Sequence, residues 1–415
     1  MDKRNTTSWR PRPLVKGILL ALITRVLRLR SLISRRKLAA VVLAPSEPGS
    51  LGDEAMLVAI CTQLKRQGVT GISILESSLP GHHEAIPDAR MIDLSGWTLH
   101  ARFVDALRAA WIFAGSPRFY LLGADVMDGR YSPGRSLVRI KLAEIAAKVG
   151  CRVKIVGFSF SSQPSQQCCD ALRALPKSVE FSNREAVSQQ RFQQQVGRES
   201  KLTADAAFLL EEINDSTTIE PYLKWIATHT DNGRQVLGIN FNSSRQHLLK
   251  ELSAEELVGA YADSLGELLR RRENLALVFL PHDSRGEPSD FDLADLVASK
   301  LAASEMARTL NVSAPIRAAE IKAICGKLNA VLTGRMHLAI AALGMGTPVG
   351  CITYLGKFDG LFAHFRLVDC LIPPNGDSIA QLADFAETLL DRAPELARQI
   401  RDHLPKVKNL ALENL

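Results

Sequence analysis

The sequence predicts an α/β protein built from two doubly wound, Rossmann-like halves. Short apolar runs alternate with segments of helical spacing, the pattern of a parallel sheet covered on both faces. The alternation occurs twice, and a polar stretch at about residues 212–234 separates the two series. At 415 residues the chain is long enough for two domains of ordinary size. The organisation expected is an extension over 1–37, a first domain over 38–215, a linker over 216–234, a second domain over 235–375 and C-terminal helices over 376–415.

The extension is the basic part of the chain. Residues 1–37 hold eleven Lys or Arg and one acid, so the remainder carries 40 basic and 43 acidic residues. That near balance argues against a nucleic-acid partner for the folded body. Val15, Ile18, Leu22, Val26, Leu29 and Ile33 recur at helical spacing, with Arg25, Arg28 and Arg35 towards the other side or its flanks. The uncharged run from Gly17 to Thr24 is far too short to span a bilayer. Arginines after it, with no small-x-small site before them, make a poor secretory signal. A basic amphipathic helix over 14–33 on an anionic membrane surface is one reading. A helix packed on the body, or a disordered arm, is the other.

In the first series, LAAVVLA (38–44) reads as a buried strand, followed by PGSLGDEAML and a helix from about Asp53 to Arg66. Its G-x-x-G-D lacks the third glycine of a dinucleotide fingerprint. Asp53 fits a helix cap. GISIL (71–75), RFYLL (118–122) and VKIVGFSF (153–160) are strand-like, and helices are expected near 99–112, 135–149 and 184–196. In the second series VLGINF (236–241), ALVFL (276–280), NAVLT (329–333) and VGCIT (349–353) read as strands. Helices near 253–272, 289–303, 317–327 and 336–343 separate them. Pro281, His282 and Asp283 follow ALVFL at the end where doubly wound sheets place ligands, so His282 either lines a cleft or sits in a solvated loop.

The stretch that carries most chemistry is TGRMHLAIAALGMGTPVGCITYLGKFDGLF, 333–362. Gly334 breaks the strand NAVLT, and a helix begins at Met336. Arg335 and His337 therefore sit at a strand-to-helix turn, where free N–H groups and the helix dipole favour an anion. With Lys357 they suit a phosphorylated substrate. The alternative is structural: His337 caps the helix and Arg335 makes a surface ion pair. Seven cysteines without C-x-x-C or regular spacing read as reduced thiols of a cytoplasmic protein. There is no zinc-ligand spacing, and no metal or cofactor is expected.

Arg-Met-His, the small-residue helix, Gly-Thr-Pro-Val, Tyr354 and Lys357 together resemble the C-terminal signature of the polysaccharide pyruvyl transferase family. Weaker similarities run from about residue 38 to 375. Gly52-Asp53 resembles the family's N-terminal Gly-Asp motif, without the Asn often ahead of it. GADVMDG keeps only Gly123 of a Gly-Gly-Gly run. SNREAVSQQ resembles an Arg-acidic-x-x-Ser stretch, with Arg184 where the family has an Arg for phosphoenolpyruvate. TADAAFLL matches a strand-end aspartate. The resemblance implies a GT-B, glycosyltransferase-like architecture with a cleft between the halves. It also implies transfer of enolpyruvyl from phosphoenolpyruvate to sugar hydroxyls of a polysaccharide or its lipid-linked precursor.

On that reading His337 is the acid/base, while Arg335 and Arg184 hold the donor's anionic groups. Lys357 attends the leaving phosphate, Asp53 meets the acceptor sugar, and His282 lines the substrate site. A nucleotide-sugar glycosyltransferase and a non-catalytic membrane-associated scaffold are the competing readings. The localisation expected is cytoplasmic, on the inner face of the membrane if residues 14–33 form the anchor. In that case, deleting residues 1–37 should release the protein from anionic vesicles in co-sedimentation; undiminished binding rules that segment out.

Overall fold

The computed structural model describes residues 39–45, 48–76, 85–93, 103–242, 253–352, 358–372 and 379–415, together with Val26 and Leu29. Apart from those two residues, which are helical and exposed, the amphipathic extension lies outside the described residues.

The first half runs β1 (Ala39–Leu43), α1 (Leu51–Arg66), β2 (Gly71–Glu76), β3 (Arg90–Asp93), α2 (Phe103–Ala114) and β4 (Arg118–Leu122). It continues with α3 (Pro133–Lys148), β5 (Arg152–Phe158), α4 (Gln166–Arg173), β6 (Glu180–Asn183), α5 (Ala186–Val196) and β7 (Lys201–Leu202). A 3-10 turn (Ala206–Leu209) and α6 (Glu220–Asp231) lead to the second half. There β8 (Gln235–Ile239), α7 (Ala254–Arg271), β9 (Leu275–Phe279), α8 (Asp290–Lys300), α9 (Ala303–Met306) and β10 (Thr309–Asn311) come first. They are followed by α10 (Ala318–Cys325), β11 (Ala330–Thr333), α11 (Met336–Gly344), β12 (Val349–Ile352), α12 (Phe358–Ala363) and β13 (Leu371–Ile372). The helices α13 (Leu382–Asp391) and α14 (Ala393–Leu412) end the order.

Two parallel sheets result, in the orders β3-β2-β1-β4-β5-β6-β7 and β10-β9-β8-β11-β12-β13. Each reverses direction once, between β1 and β4 and between β8 and β11, and such a switch point opens a crevice at the C-terminal strand ends. The central strands are apolar on both faces, as burial under helices on both sides demands: β1, β9, β11 and β12 are buried along their whole length. The strands β3, β6, β7, β10 and β13 escape the sequence reading. β3 (RMID) and β6 (EFSN) mix charged or polar residues into four positions, and β7, β10 and β13 have only two or three residues, so no apolar run registers.

The halves are joined by packing as well as by chain. One continuous buried cluster takes Leu51, Met56 and Ile60 of α1, Phe208 of the 3-10 turn, Ile321 of α10 and Leu338 of α11. Phe208 stacks obliquely on Phe365, ring centroids 5.7 Å apart. Lys322 of α10 is buried and gives its ammonium to the carbonyls of Phe208 and Leu210; burial pushes its pKa down to about 8. On the outer face of the first sheet Phe158, Phe160, Phe181 and Phe192 form an aromatic cluster. All seven cysteines are unpaired and buried, and burial raises every thiol above its ordinary pKa.

After α13 packs on the second half, α14 crosses back to the first. Fully buried Asn414 donates to the carbonyl of Ala204 at 2.8 Å and accepts from the hydroxyl of Thr203 at 3.2 Å. This pins the loop after β7, which delivers Asp205. Asn414→Ala should lower stability by about 1–3 kcal/mol, the cost of leaving buried groups unpaired, read as a fall in the urea midpoint at unchanged slope.

Candidate active site at the meeting of two switch points

The crevices of the two sheets face one another, and the N-terminus of α1 bridges them. Gly49, with a positive φ of 111°, turns the chain so that its carbonyl accepts from the Ser284 N–H at 2.8 Å. The Leu51 N–H donates to the His282 carbonyl at 3.1 Å, and Ser50 pairs with Asp283 in an antiparallel bridge. Ser50 also caps α1, accepting from the Asp53 N–H at 3.3 Å. The expectation that Asp53 is the cap is therefore corrected. Ser50 holds the Ncap position, and the Asp53 side chain is left to face the crevice.

A pocket of about 120 Å³ lies there, lined by Asp53, Asp125, Arg184, His282, Arg335 and His337 among others. Five of the six residues expected in the site thus converge from both halves. The sixth, Lys357, lies outside the described residues.

Arg335 follows β11 and occupies the Ncap position of α11, as the strand-to-helix break at Gly334 predicts. Its backbone N–H donates to Thr333 Oγ1 at 2.9 Å, and Thr333 in turn donates to Asn240 Oδ1 at 3.0 Å. The guanidinium is no surface group. Nε and Nη2 grip the two oxygens of Asp290 at 3.0 and 2.6 Å, and Nη1 reaches Asp283 at 3.3 Å. Asp290 is fully buried at the start of α8. Breaking such a buried pair typically costs about 3–5 kcal/mol.

His337 is the second residue of α11, not its cap. Its Nε2 stands 3.4 Å from Oδ2 of Asp205, which caps the 3-10 turn after β7. The same Oδ2 accepts from Arg184 Nη1 at 2.8 Å, both side chains being almost wholly buried. Arg184 Nε donates to Ser159 Oγ at 2.8 Å. Burial alone would raise the pKa of Asp205, but His337 and Arg184 outweigh it and hold the carboxyl well below the usual range. Gly52 explains itself here: a Cβ at that position would collide with the His337 ring.

His282 is buried, and neither ring nitrogen has a hydrogen-bond partner among the described residues. Burial, then the positive charges of His337 and Arg335, push its pKa down to about 3, so the ring is neutral near neutral pH. Beside it Arg285 grips Asp283 at 2.8 Å and stands 3.7 Å from Asp53. Asp125, Arg285 and Asp290 were not singled out from sequence, and Asp205 was marked only as the strand-end aspartate of TADAAFLL, without a role. For Asp125 and Arg285 the available signal was position, in the loops that follow β4 and β9. Among the described residues no group of three His, Cys, Asp or Glu side chains has metal-binding geometry.

Solved structures share this architecture. A protein of Listeria monocytogenes named as a UDP-N-acetylglucosamine 2-epimerase superposes with a TM-score of 0.57 at 13% identity, over 88% of this chain and 91% of that one. The UDP complex of MnaA from S. aureus gives 0.54 at 10% identity, over 88% and 91%. A UGT transferase of Siraitia grosvenorii gives 0.51 at 11%, over 89% and 95%. At such identity the likeness establishes the fold, a two-domain Rossmann-like architecture of the GT-B class. No curated protein sequence matches the chain. Residues 51–356 match the family described as polysaccharide pyruvyl transferase, and the chain belongs to that family.

The close approach of Gly52 to His337 yields a structural test. Gly52→Ala should cost about 1–3 kcal/mol by overpacking. In a His337→Ala background the same Gly52→Ala change should cost little, because the methyl then has room. An undiminished cost in that background would show that the contact is not the cause.

Proposed function

We propose that this protein transfers the enolpyruvyl group of phosphoenolpyruvate to hydroxyls of a polysaccharide or its lipid-linked precursor, forming a pyruvate ketal and releasing phosphate. Membership of the family supplies the reaction class. The observation that carries the chemistry is His337, backed at 3.4 Å by a buried carboxylate and flanked in one pocket by three guanidinium groups.

His337, set with Nε2 3.4 Å from the Asp205 carboxylate and facing the pocket, is assigned as the acid. It gives a proton to the donor's methylene carbon, and C2 becomes electrophilic. One sugar oxygen bonds to C2, a second follows, and the C2–O bond to phosphate breaks. The two hydroxyl protons balance the step: one restores His337 and the other leaves on hydrogen phosphate. Arg184 is held by Asp205 and Ser159, and Arg335 by Asp290 and Asp283, which fixes both guanidinium groups at the pocket wall and preorganises them for the donor's carboxylate and phosphate. His282 is neutral, and therefore serves as hydrogen-bond donor and acceptor to substrate and not as the acid. Asp53 is assigned to the acceptor hydroxyl and Lys357 to the departing phosphate.

The pocket is not a sink of positive charge. Asp53, Asp125 and Asp283 line it beside the three arginines, so donor affinity rests on oriented N–H groups more than on net charge. The UDP or UDP-sugar named for all three structural relatives supports a second reading, a nucleotide-sugar transferase using the same cations. Among the described residues no helix is long and apolar enough to cross a membrane. Residues 14–33 are proposed as a peripheral anchor that brings the enzyme to lipid-linked acceptors on the cytoplasmic face.

Donor protection separates the readings. Phosphoenolpyruvate should raise the melting temperature while UDP-sugars leave it unchanged. His337→Gln should keep that protection yet lose about 10²–10⁴-fold in phosphate release, since proton transfer acts in the transition state. A melting shift with UDP-sugars alone removes the pyruvyl assignment. Loss of protection in His337→Gln would make that residue a donor ligand instead.

A further inference from the structure

A second cavity, of about 260 Å³, opens beside the first, and Asp125 lines both. It is built on the first half alone, from the loops that follow β4 and β5 and the first turns of α5. Its carboxylates are already engaged by the fold. Asp128 accepts from the backbone N–H groups of Arg130 at 3.0 Å and Ser161 at 2.9 Å, and Glu185 accepts from the Ser188 N–H at 2.8 Å. The donors are held more loosely. Arg130 Nη1 reaches Gln163 Oε1 at 3.3 Å, and Arg191 Nη1 reaches the Phe160 carbonyl at 3.4 Å. Ser161 Oγ is buried without a hydrogen-bond partner among the described residues. Tyr131 stands at the wall, 48% exposed.

One exposed aromatic ring, loosely tied guanidinium and amide groups, and an unsatisfied hydroxyl describe a particular ligand. Phosphate would want neighbouring carboxylates paired with guanidinium groups, as Asp283 is in the donor pocket, whereas here Asp128 and Glu185 are held by backbone N–H groups. A wholly apolar molecule would leave Ser161 unpaired. A sugar ring has an apolar face for an aromatic side chain and hydroxyls that both donate and accept.

We infer that this cavity binds a pyranose ring of the acceptor saccharide, with Tyr131 as its apolar platform and Arg130, Ser161 and Gln163 bonding its hydroxyls. The inference deepens the proposed transfer reaction and rests on it for the word acceptor. Asp125 marks where the sugar's edge passes from this cavity into the donor pocket.

Saturation-transfer NMR on the full chain tests it with four probes: methyl glycosides of glucose, galactose, mannose and glucuronic acid. At least one should receive saturation on its ring protons. Tyr131→Ala and Arg130→Ala should each weaken its binding by roughly three- to tenfold, the loss of one modest contact. Both variants should keep the wild-type urea midpoint and the melting shift produced by phosphoenolpyruvate. Silence of all four glycosides, or transfer undiminished in both variants, overturns the site. The donor readout is separate: if phosphoenolpyruvate fails to protect the wild type while the glycoside signal depends on Tyr131, the donor assignment falls and the sugar site stands.

Discussion

A carboxylate cannot be buried without compensation, and Asp205 draws its compensation from both halves of the protein. Arg184, from the strand beside it, supplies a fixed positive charge. His337, from α11 of the other half, stands 3.4 Å from the same carboxylate. The site is therefore defined by a relation between domains. The loop that carries Asp205 must be held still, and Asn414 does that from the end of α14. The helix that carries His337 must come close, and only a residue without a side chain at position 52 leaves room for the ring.

The rest of the crevice follows the same logic. Asp290 fixes the plane of Arg335, Asp283 lies between Arg335 and Arg285, and the Gly49–Leu51 turn stitches α1 to the His282 loop. Fully paired buried networks of this kind specify one geometry, because any alternative strands a charge. The two imidazoles stand outside this pairing: neither His282 nitrogen nor His337 Nε2 has a hydrogen-bond partner among the described residues.

Much of the architecture is legible in the chain because parallel strands buried on both faces read as unbroken apolar runs. AVVL, ALVF and NAVLT announce themselves in this way, and Gly334 marks the turn that aims Arg335. The short strands EFSN and LI do not, since they carry no period and take their place by pairing with neighbours already set. In the site, residue types at strand ends pointed to Arg335, His337 and His282. Arg184 came from resemblance. The partnerships were illegible: nothing local to Asp205 or Asp290 says that it meets an arginine or histidine far along the chain. For the same reason Arg335 read as an anion-binding cation or a surface ion pair, although its charge is shared by two buried carboxylates.

The burial of every cysteine has a practical side. Thiolate is the reactive form, and a thiol that is both inaccessible and raised in pKa presents almost none of it at neutral pH. The native chain is thus chemically silent towards maleimides while folded. A single cysteine introduced on the exposed rim of either cavity would take a fluorophore or spin label selectively, with no need to strip out the seven native thiols. The separation of the two halves could then be followed in solution as substrates are added.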